Sequence, residues 1–110
     1  MAKIGTLPLK GKSGEIYTFN VWPMDQEFNA VGAVYAVTKR YTDSKGGYSH
    51  TVIYVGETSD LATRFENHHK ADYFNQHESN CICTHREDDQ DSRLAKEDDL
   101  VKQYNPPCND

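Results

Sequence analysis

This chain of 110 residues lacks long apolar runs, an even set of cysteines and an excess of positive charge. No stretch approaches the roughly 18 apolar residues that a membrane-spanning helix needs. The first residues lack the apolar core and cleavage pattern of a signal peptide. Three cysteines cannot form a complete set of intrachain disulfides, which suits a reducing compartment. We therefore expect a cytoplasmic protein that does not enter a membrane.

The net charge of -5 is spread unevenly along the chain. Residues 1–70 carry eight Lys/Arg and seven Asp/Glu, whereas residues 71–110 carry four and ten. Proteins that bind nucleic acid avidly and without specificity usually have a basic surface, so the acidic second half argues against that class. The charge distribution still allows a basic patch on part of the surface. The length predicts one domain, and the sequence contains no internal repeat.

Alternating apolar residues and turn residues predict an α+β domain with a small, mainly antiparallel sheet flanked by helices. Residues 6–22 predict an N-terminal β-hairpin around a glycine-containing turn. The runs "GAVYAVTKRY" and "HTVIYVGE" predict a second hairpin with the polar loop "TDSKGGYS" between its strands. A helix should follow from a cap at residues 58–60 to about Lys70. "NCICTHR" predicts a third short strand, and "SRLAKEDDLVKQY" a final helix that ends before Pro106.

The two longer predicted helices each place a charged side chain beside an apolar stripe. In the first, Leu61, Phe65, Arg64 and His68 share one side, with Arg64 and His68 one turn apart. In the last, Leu94, Val101 and Tyr104 share a face that has Leu100 at its edge and Glu97 in its middle. A buried carboxylate needs a partner or a metal. Glu97 is therefore either paired with a core arginine or placed for function, whereas its acidic neighbours Asp98 and Asp99 should face solvent.

The order of these residues resembles the GIY-YIG nuclease superfamily. "GAVY", ending at Tyr35, is similar to its first motif, and "YVG", from Tyr54 to Gly56, is similar to its second. Arg64 and His68 in the following helix, Glu97 in the late helix and Asn109 in "NPPCN" match the remaining positions. The resemblance covers residues 32–109. It leaves residues 1–31 as a hairpin extension packed on the same domain as the nuclease-like residues 32–110.

The resemblance implies a divalent-metal-dependent endonuclease that hydrolyses phosphodiester bonds in DNA, in preference to RNA. Glu97 would hold one Mg²⁺ or Mn²⁺, and Arg64 would neutralise charge on the phosphoryl oxygens. Tyr35 would help to activate the attacking water, Tyr54 would orient the water or the phosphate, and His68 would assist proton transfer. Gly56 and Asn109 would lie at the substrate, with Asn109 orienting the site by hydrogen bonds. A separate protein would be one means of targeting, since this chain contains no recognition domain.

Three features depart from the family pattern. Ala33 stands where the first motif commonly has glycine. The loop between the tyrosines is longer than the usual short connection, which a surface hairpin tolerates. Glu57 follows the second motif, and a carboxylate there repels a phosphate unless it helps to bind the metal. The sequence does not distinguish duplex, branched and single-stranded targets. It does not define the pathway or the oligomeric state either.

The sequence also allows two other interpretations, a structural zinc site and a noncatalytic binding module. On a strand, Cys81, Cys83 and His85 of "CICTH" would share one face, with Cys108 or His77 as a fourth zinc ligand. The C-x-C spacing is not that of a zinc knuckle, so we expect ordinary semi-buried cysteines instead. The second alternative is a noncatalytic module that keeps the fold and binds protein or nucleic acid. The negative charge and Glu57 favour it, and the joint presence of Arg64 and Glu97 argues against it.

Overall fold

The computed structural model describes residues 3–24, 26–64 and 70–109. Within these ranges the chain forms one five-stranded sheet and three helices, which confirms the α+β class. The strands are β1 (Gly5–Lys10), β2 (Ile16–Pro23), β3 (Ala33–Thr42), β4 (Tyr48–Thr58) and β5 (Cys81–Arg86). The helices are α1 (Leu61–Arg64), α2 (Ala71–Gln76) and α3 (Gln90–Tyr104). None of the helices in these ranges has the length and apolarity needed to cross a membrane.

The sheet is antiparallel throughout, with the order β1-β2-β5-β3-β4. Both predicted hairpins form, and β5 lies between them, pairing with β2 on one side and β3 on the other. The register of β3 against β4 shifts between Val37 and Thr38, where Ile53 is the extra residue of a β-bulge. The N-terminal hairpin thereby extends the same sheet as the rest of the chain.

Asp99 fastens the turn of the first hairpin to α3. Its carboxylate accepts hydrogen bonds from the Ser13 backbone N–H at 2.8 Å, the Ser13 hydroxyl at 2.7 Å and the Tyr17 hydroxyl at 2.7 Å. These bonds hold the pKa of Asp99 below its ordinary value. Asp99 is partly exposed, as expected for a solvent-facing charge, and it also bonds the hairpin turn because that turn folds back over this part of the helix.

Apolar side chains cover both faces of the sheet. One face packs against α3 and contains Leu100 with strand residues such as Phe19, Val34 and Val55. The opposite face packs against α1, α2 and the residues after α3; its buried members are Ala33, Tyr35, Val37, Ile53, Tyr54, Leu61, Phe74 and Cys108. Since successive side chains on a strand point to opposite faces, the two motif tyrosines belong to the second face and Val34 to the first.

Capping residues mark the ends of α1 and α3, and the cap of α1 is one of those predicted. The Asp60 carboxylate accepts a hydrogen bond from the Ala62 N–H at 3.0 Å, so Asp60 begins α1 as expected. The expected continuation of this helix to Lys70 crosses residues 65–69, which lie outside the described residues. Asp89 caps α3 by accepting from the Ser92 N–H at 2.8 Å, and Asn105 ends it in a left-handed conformation.

The buried face of α3 differs from the predicted one. Leu100 is fully buried, but Leu94 is 44% exposed and Arg93 is buried. Arg93, Glu97, Leu100 and Tyr104 follow a helical spacing of four, three and four, so they form the face that meets the sheet. The prediction failed at Arg93 and Leu94 because apolar patterning assigns an arginine to solvent, whereas this arginine has a partner inside.

Candidate active site

Tyr35 and Tyr54 lie side by side on neighbouring strands. Tyr35 in β3 is opposite Gly56 in β4, and Val37 is opposite Tyr54, so the two tyrosines are diagonal neighbours on one face. Their ring centroids are 5.9 Å apart. Tyr35 is completely buried and Tyr54 is 9% exposed. The second hairpin thus brings the two motif tyrosines together, as the sequence predicts.

Gly56 provides the space in which the two rings pack. A Cβ added at Gly56 would lie 2.5 Å from the Cζ and Oη atoms of Tyr35 and 2.8 Å from Cε2 of Tyr54. Gly56 lies inside β4, which continues to Thr58. Its absent side chain is therefore a packing requirement, and its contact with substrate stays a prediction.

Arg64 reaches the tyrosines from the end of α1. Its Nε donates a hydrogen bond to the Tyr35 hydroxyl at 3.0 Å, and its Cζ lies 5.9 Å from the centre of the Tyr35 ring. Burial acts to lower the pKa of Arg64, but its hydrogen bonds to Tyr35 and Tyr54 and their charges outweigh this and raise it. The guanidinium is held in one orientation and stays cationic.

Tyr35 is a neutral phenol at neutral pH. Burial raises the pKa of Tyr35 well above its ordinary value, and the hydrogen bond from Arg64 only partly opposes this rise. A phenol with such a pKa is a weak proton acceptor but a good hydrogen-bonding group. The geometry therefore suits Tyr35 to orienting Arg64 better than to accepting a proton as tyrosinate.

Glu97 approaches from α3 on the other side of the sheet. Burial raises the pKa of its carboxyl group, and the charges of Glu57 and Asp98 raise it further. The charge of Arg64 and a hydrogen bond from the Glu57 backbone N–H act in the opposite direction. Glu97 consequently lies beside the end of β4 and within electrostatic reach of Arg64. The charge of Arg64, which is hydrogen-bonded to Tyr35 on one face of the sheet, thus acts on a glutamate that lies on the other face.

The sequence did not identify Arg93 as part of this region. Its Nε lies 3.8 Å from Oε1 of Glu57, and the two side chains are 6% and 18% exposed. One terminal nitrogen of Arg93 donates to the backbone oxygens of Glu87 at 3.1 Å and Asp88 at 2.9 Å. A Cβ at Gly32 would lie 2.5 Å from that nitrogen, so Gly32 leaves room for it.

The core arginine expected as a partner for Glu97 therefore exists, but it pairs with Glu57. Arg93 lies one turn before Glu97 on the same face of α3. This spacing is the sequence feature that could have identified Arg93 as the core arginine. Pairing with Arg93 offsets the negative charge of Glu57, which the sequence had marked as repulsive to phosphate. Glu97 is therefore the carboxylate on which the charge of Arg64 acts.

Asn109 closes the outer edge of β4 next to Tyr54. Its side-chain oxygen accepts from the Val55 N–H at 2.9 Å, and its side-chain nitrogen donates to the Val55 carbonyl at 2.8 Å. The neighbouring Cys108 N–H donates to the Ile53 carbonyl at 3.0 Å. The amide thus pairs with the strand as another strand would. These bonds hold the residues after α3 against β4, and the predicted role of Asn109 at the substrate stays a prediction.

We expect Asn109→Ala to destabilise the fold by roughly 1–2 kcal/mol, because two backbone groups of Val55 lose their partners. Asn109→Asp tests the geometry, since it keeps the shape but sets a carboxylate against the Val55 carbonyl oxygen. Urea unfolding measures the free energy, and hydrogen exchange measures protection of the Val55 amide. Unchanged protection of that amide in both variants would contradict the assignment.

His68, the remaining predicted catalytic residue, lies outside the described residues.

The predicted alternation of "CICTH" is confirmed, because Cys81 and Cys83 lie in the core beneath α3 and the His85 ring packs 5.5 Å from the Phe19 ring. His85 is hydrogen-bonded through both nitrogens, to the Thr18 carbonyl at 2.9 Å and to Lys96 Nζ at 2.9 Å. Cys108 lies on the opposite face of the sheet. These positions do not converge on a shared metal.

The carboxylates near β4 supply oxygen atoms, which Mg²⁺ and Mn²⁺ prefer as ligands. Repulsion between Glu57 and Glu97 helps to raise the pKa of Glu97, and a bound cation would relieve it. Across residues 3–24, 26–64 and 70–109, no three or more His, Cys, Asp or Glu side chains form a metal-binding group. A cation held at Glu97 would have to take its other ligands from water and substrate oxygens, and the metal itself stays a prediction.

No protein-family model matches this chain, and no curated protein or solved structure matches it either. The resemblance to GIY-YIG nucleases stays a prediction that rests on the order of the motifs in the sequence. The geometry adds the grouping of Tyr35, Tyr54 and Arg64, and the position of Glu97 near that arginine.

Proposed function

We propose that this protein is a divalent-metal-dependent endonuclease that hydrolyses phosphodiester bonds in DNA, in preference to RNA. One observation carries the proposal: a half-buried glutamate with a raised pKa lies within electrostatic reach of an arginine that a buried tyrosine holds in place. Among the described residues Glu97 forms no ion pair, and burial of a carboxylate without one costs stability, so its position favours a functional role. The arginine supplies the positive charge that a phosphate needs.

Each residue has a distinct role in the proposed reaction. Arg64 binds the phosphoryl oxygens and neutralises the charge that develops on them as the bond from the attacking water to phosphorus forms and the bond to the leaving sugar oxygen breaks. The leaving oxygen takes up a proton from solvent. Tyr35 fixes the guanidinium through its hydroxyl and hydrogen-bonds the attacking water as a neutral phenol. Tyr54 orients the water or the phosphate beside it. His68 accepts the proton that the water loses, as the family resemblance implies.

Glu97 holds the metal in this proposal. Mg²⁺ or Mn²⁺ bound there would supply Lewis-acid polarisation of the phosphate and lower the pKa of a water molecule. Before binding, the carboxyl group has to lose its proton, and its raised pKa makes that loss harder than for an ordinary glutamate. As the pH is lowered, cleavage should therefore be lost at a higher pH than it would be if Glu97 had an ordinary pKa. A pH profile at saturating metal and at low metal would show this, since binding of the cation opposes the shift.

The primary test is cleavage of labelled duplex, branched and single-stranded DNA, and of RNA, by the purified protein with Mg²⁺, Mn²⁺ or EDTA. Cleavage that requires metal supports the proposal and identifies the substrate. Absence of cleavage from every substrate by folded protein would contradict it. That result would favour the noncatalytic module, for which the Glu57 carboxylate beside the site is the supporting observation.

We expect Arg64→Ala to lower kcat by roughly a hundredfold, because it removes a charge that acts on the transition state. The loss of the Tyr35 hydrogen bond should cost only about 1 kcal/mol of stability. The matched control is Arg86→Ala, since Arg86 is an exposed arginine at the end of β5 that pairs weakly with Asp88 at 3.5 Å. Kinetics and thermal melting of both variants check the prediction. Equal loss of activity in the two variants would be incompatible with a site at Arg64.

A further inference from the structure

The second hairpin is longer than the sheet that contains it. β5 pairs with β3 only as far as Thr38, whereas β3 and β4 continue to pair as far as Thr42 and Tyr48. Asn80 supports the base of this projection, since its side chain accepts from the Arg40 N–H at 2.7 Å and donates to the Arg40 carbonyl at 3.0 Å. Beyond that point, the two strands have only each other as strand neighbours among the described residues. We call residues 39–50 the arm.

The arm carries a charge opposite to that of the whole chain. It contains Lys39, Arg40 and Lys45 and one acidic residue, Asp43, in a chain of net charge -5. The Asp43 carboxylate builds the turn, where it accepts from the Lys45 N–H at 2.9 Å and the Gly47 N–H at 3.0 Å. Gly46 takes the positive φ of 82° that the turn requires. The acid is thus engaged with backbone, and the cationic side chains determine the character of the arm.

Aromatic rings are exposed between these charges. Tyr48 is 62% exposed and Tyr41 is 46% exposed, on opposite faces of the arm. The Cζ atom of Arg40 lies 4.1 Å from the centre of the Tyr48 ring, so guanidinium and ring are stacked. On the other face Lys39 forms an exposed ion pair of 2.9 Å with Glu78, which costs little to open.

We propose that the arm binds a single strand of nucleic acid. A base stacks on the side of the Tyr48 ring that Arg40 leaves open, while Arg40 and Lys45 contact the phosphates. Exposed aromatic rings beside positive charge bind unpaired bases with little sequence preference, because every base has a stacking face. The charge of the arm also directs a polyanion to this end of an otherwise acidic chain. The proposal concerns binding alone and does not depend on the proposed hydrolysis.

Binding is best measured in EDTA, where metal-dependent cleavage does not interfere. Fluorescence anisotropy of a short labelled single strand, and of the same sequence as a duplex, gives Kd over a series of salt concentrations. We expect tighter binding to the single strand. Tyr48→Ala should weaken that binding roughly fivefold or more. Arg40→Gln should also lower the slope of log K against log salt by about 0.7, the contribution of one cation to single-strand binding.

Each variant has a matched control elsewhere on the surface. Tyr73 in α2 is 51% exposed and has the Lys70 amine 5.2 Å from its ring centre, so Tyr73→Ala removes a similar group. Arg86→Gln removes a similar exposed arginine. Both controls should keep the Kd of the unaltered protein. Equal binding to duplex and single strand, equal effects of Tyr48→Ala and Tyr73→Ala, or no binding at all would overturn the proposal.

The outcomes separate the arm from the proposed nuclease. Binding that depends on Tyr48 without cleavage in Mg²⁺ or Mn²⁺ would support the arm and reject the nuclease. Cleavage that depends on Glu97 while Tyr48→Ala leaves single-strand binding unchanged would support the nuclease and reject the arm.

Discussion

Replacing Glu97 by glutamine should reduce metal-dependent cleavage by about a thousandfold or more while the protein stays folded. The substitution removes the charge that holds the cation, and a lost metal contribution of several kcal/mol corresponds to at least that factor. The amide keeps the size of the carboxyl group, so packing against β4 should survive. Single-turnover kinetics with Mg²⁺ and Mn²⁺, together with thermal melting, measure the two effects separately.

The effect of Glu97→Gln on folding stability should depend on pH. The pKa of Glu97 is raised by burial first and by Glu57 and Asp98 next, so ionisation of Glu97 destabilises the folded state. The cost is absent below the unfolded pKa and grows as pH rises towards the folded one. Glutamine imitates the protonated form. Glu97→Gln should therefore match the melting temperature of the unaltered protein in acid and exceed it at neutral pH without metal.

A carboxylate on the same helix provides the control. Asp91 is exposed in the first turn of α3, and Asp91→Asn makes the same chemical change there. This variant should cleave at the normal rate and lack the pH-dependent gain in stability. Normal cleavage by Glu97→Gln would remove Glu97 from the proposed site.

Replacing Gly56 by alanine should destabilise the fold by about 2–3 kcal/mol, in the upper part of the range for overpacked cores. The new methyl group would collide with the Tyr35 ring, whose Cζ and Oη atoms lie 2.5 Å from the ideal Cβ position. The ring is completely buried and has little room to move. Because Tyr35 also orients Arg64, cleavage should fall together with stability. Urea unfolding and the cleavage assay measure the two consequences.

Gly5→Ala is the matched control for that variant. Gly5 also lies in a strand, but a Cβ there would meet no atom within 4 Å, so its substitution should be nearly neutral. A double variant identifies the cause, because Tyr35→Leu removes the two nearest of the three atoms that the methyl group would meet and leaves only Cε2 of Tyr54. The two substitutions should therefore destabilise by less than the sum of their separate effects. Additive effects would assign the cost to something other than this contact.

Local sequence patterns predicted both hairpins and the final helix because alternation, caps and turn residues act between near neighbours in the chain. They did not predict that β5 would lie between the hairpins, since that pairing joins residues far apart in sequence. The same limit applies to Arg93 and Glu57, whose contact links α3 to β4. Tyr35, Tyr54 and Arg64 were grouped correctly because one hairpin and the turn after it bring them together.

The bulge at Ile53 divides the second hairpin into two parts that can change separately. On the side of the tyrosines, β3 is fixed by β4 and β5 together, from Ala33 to Val37. Beyond the bulge, the pairing resumes between Thr38 and Val52 and continues into the arm. Insertions at residues 43–47 would lengthen the arm while the strand alignment around Tyr35 and Tyr54 is retained. The fold therefore permits related proteins, or designed variants, to differ in the reach of the arm with the same tyrosine pair behind it.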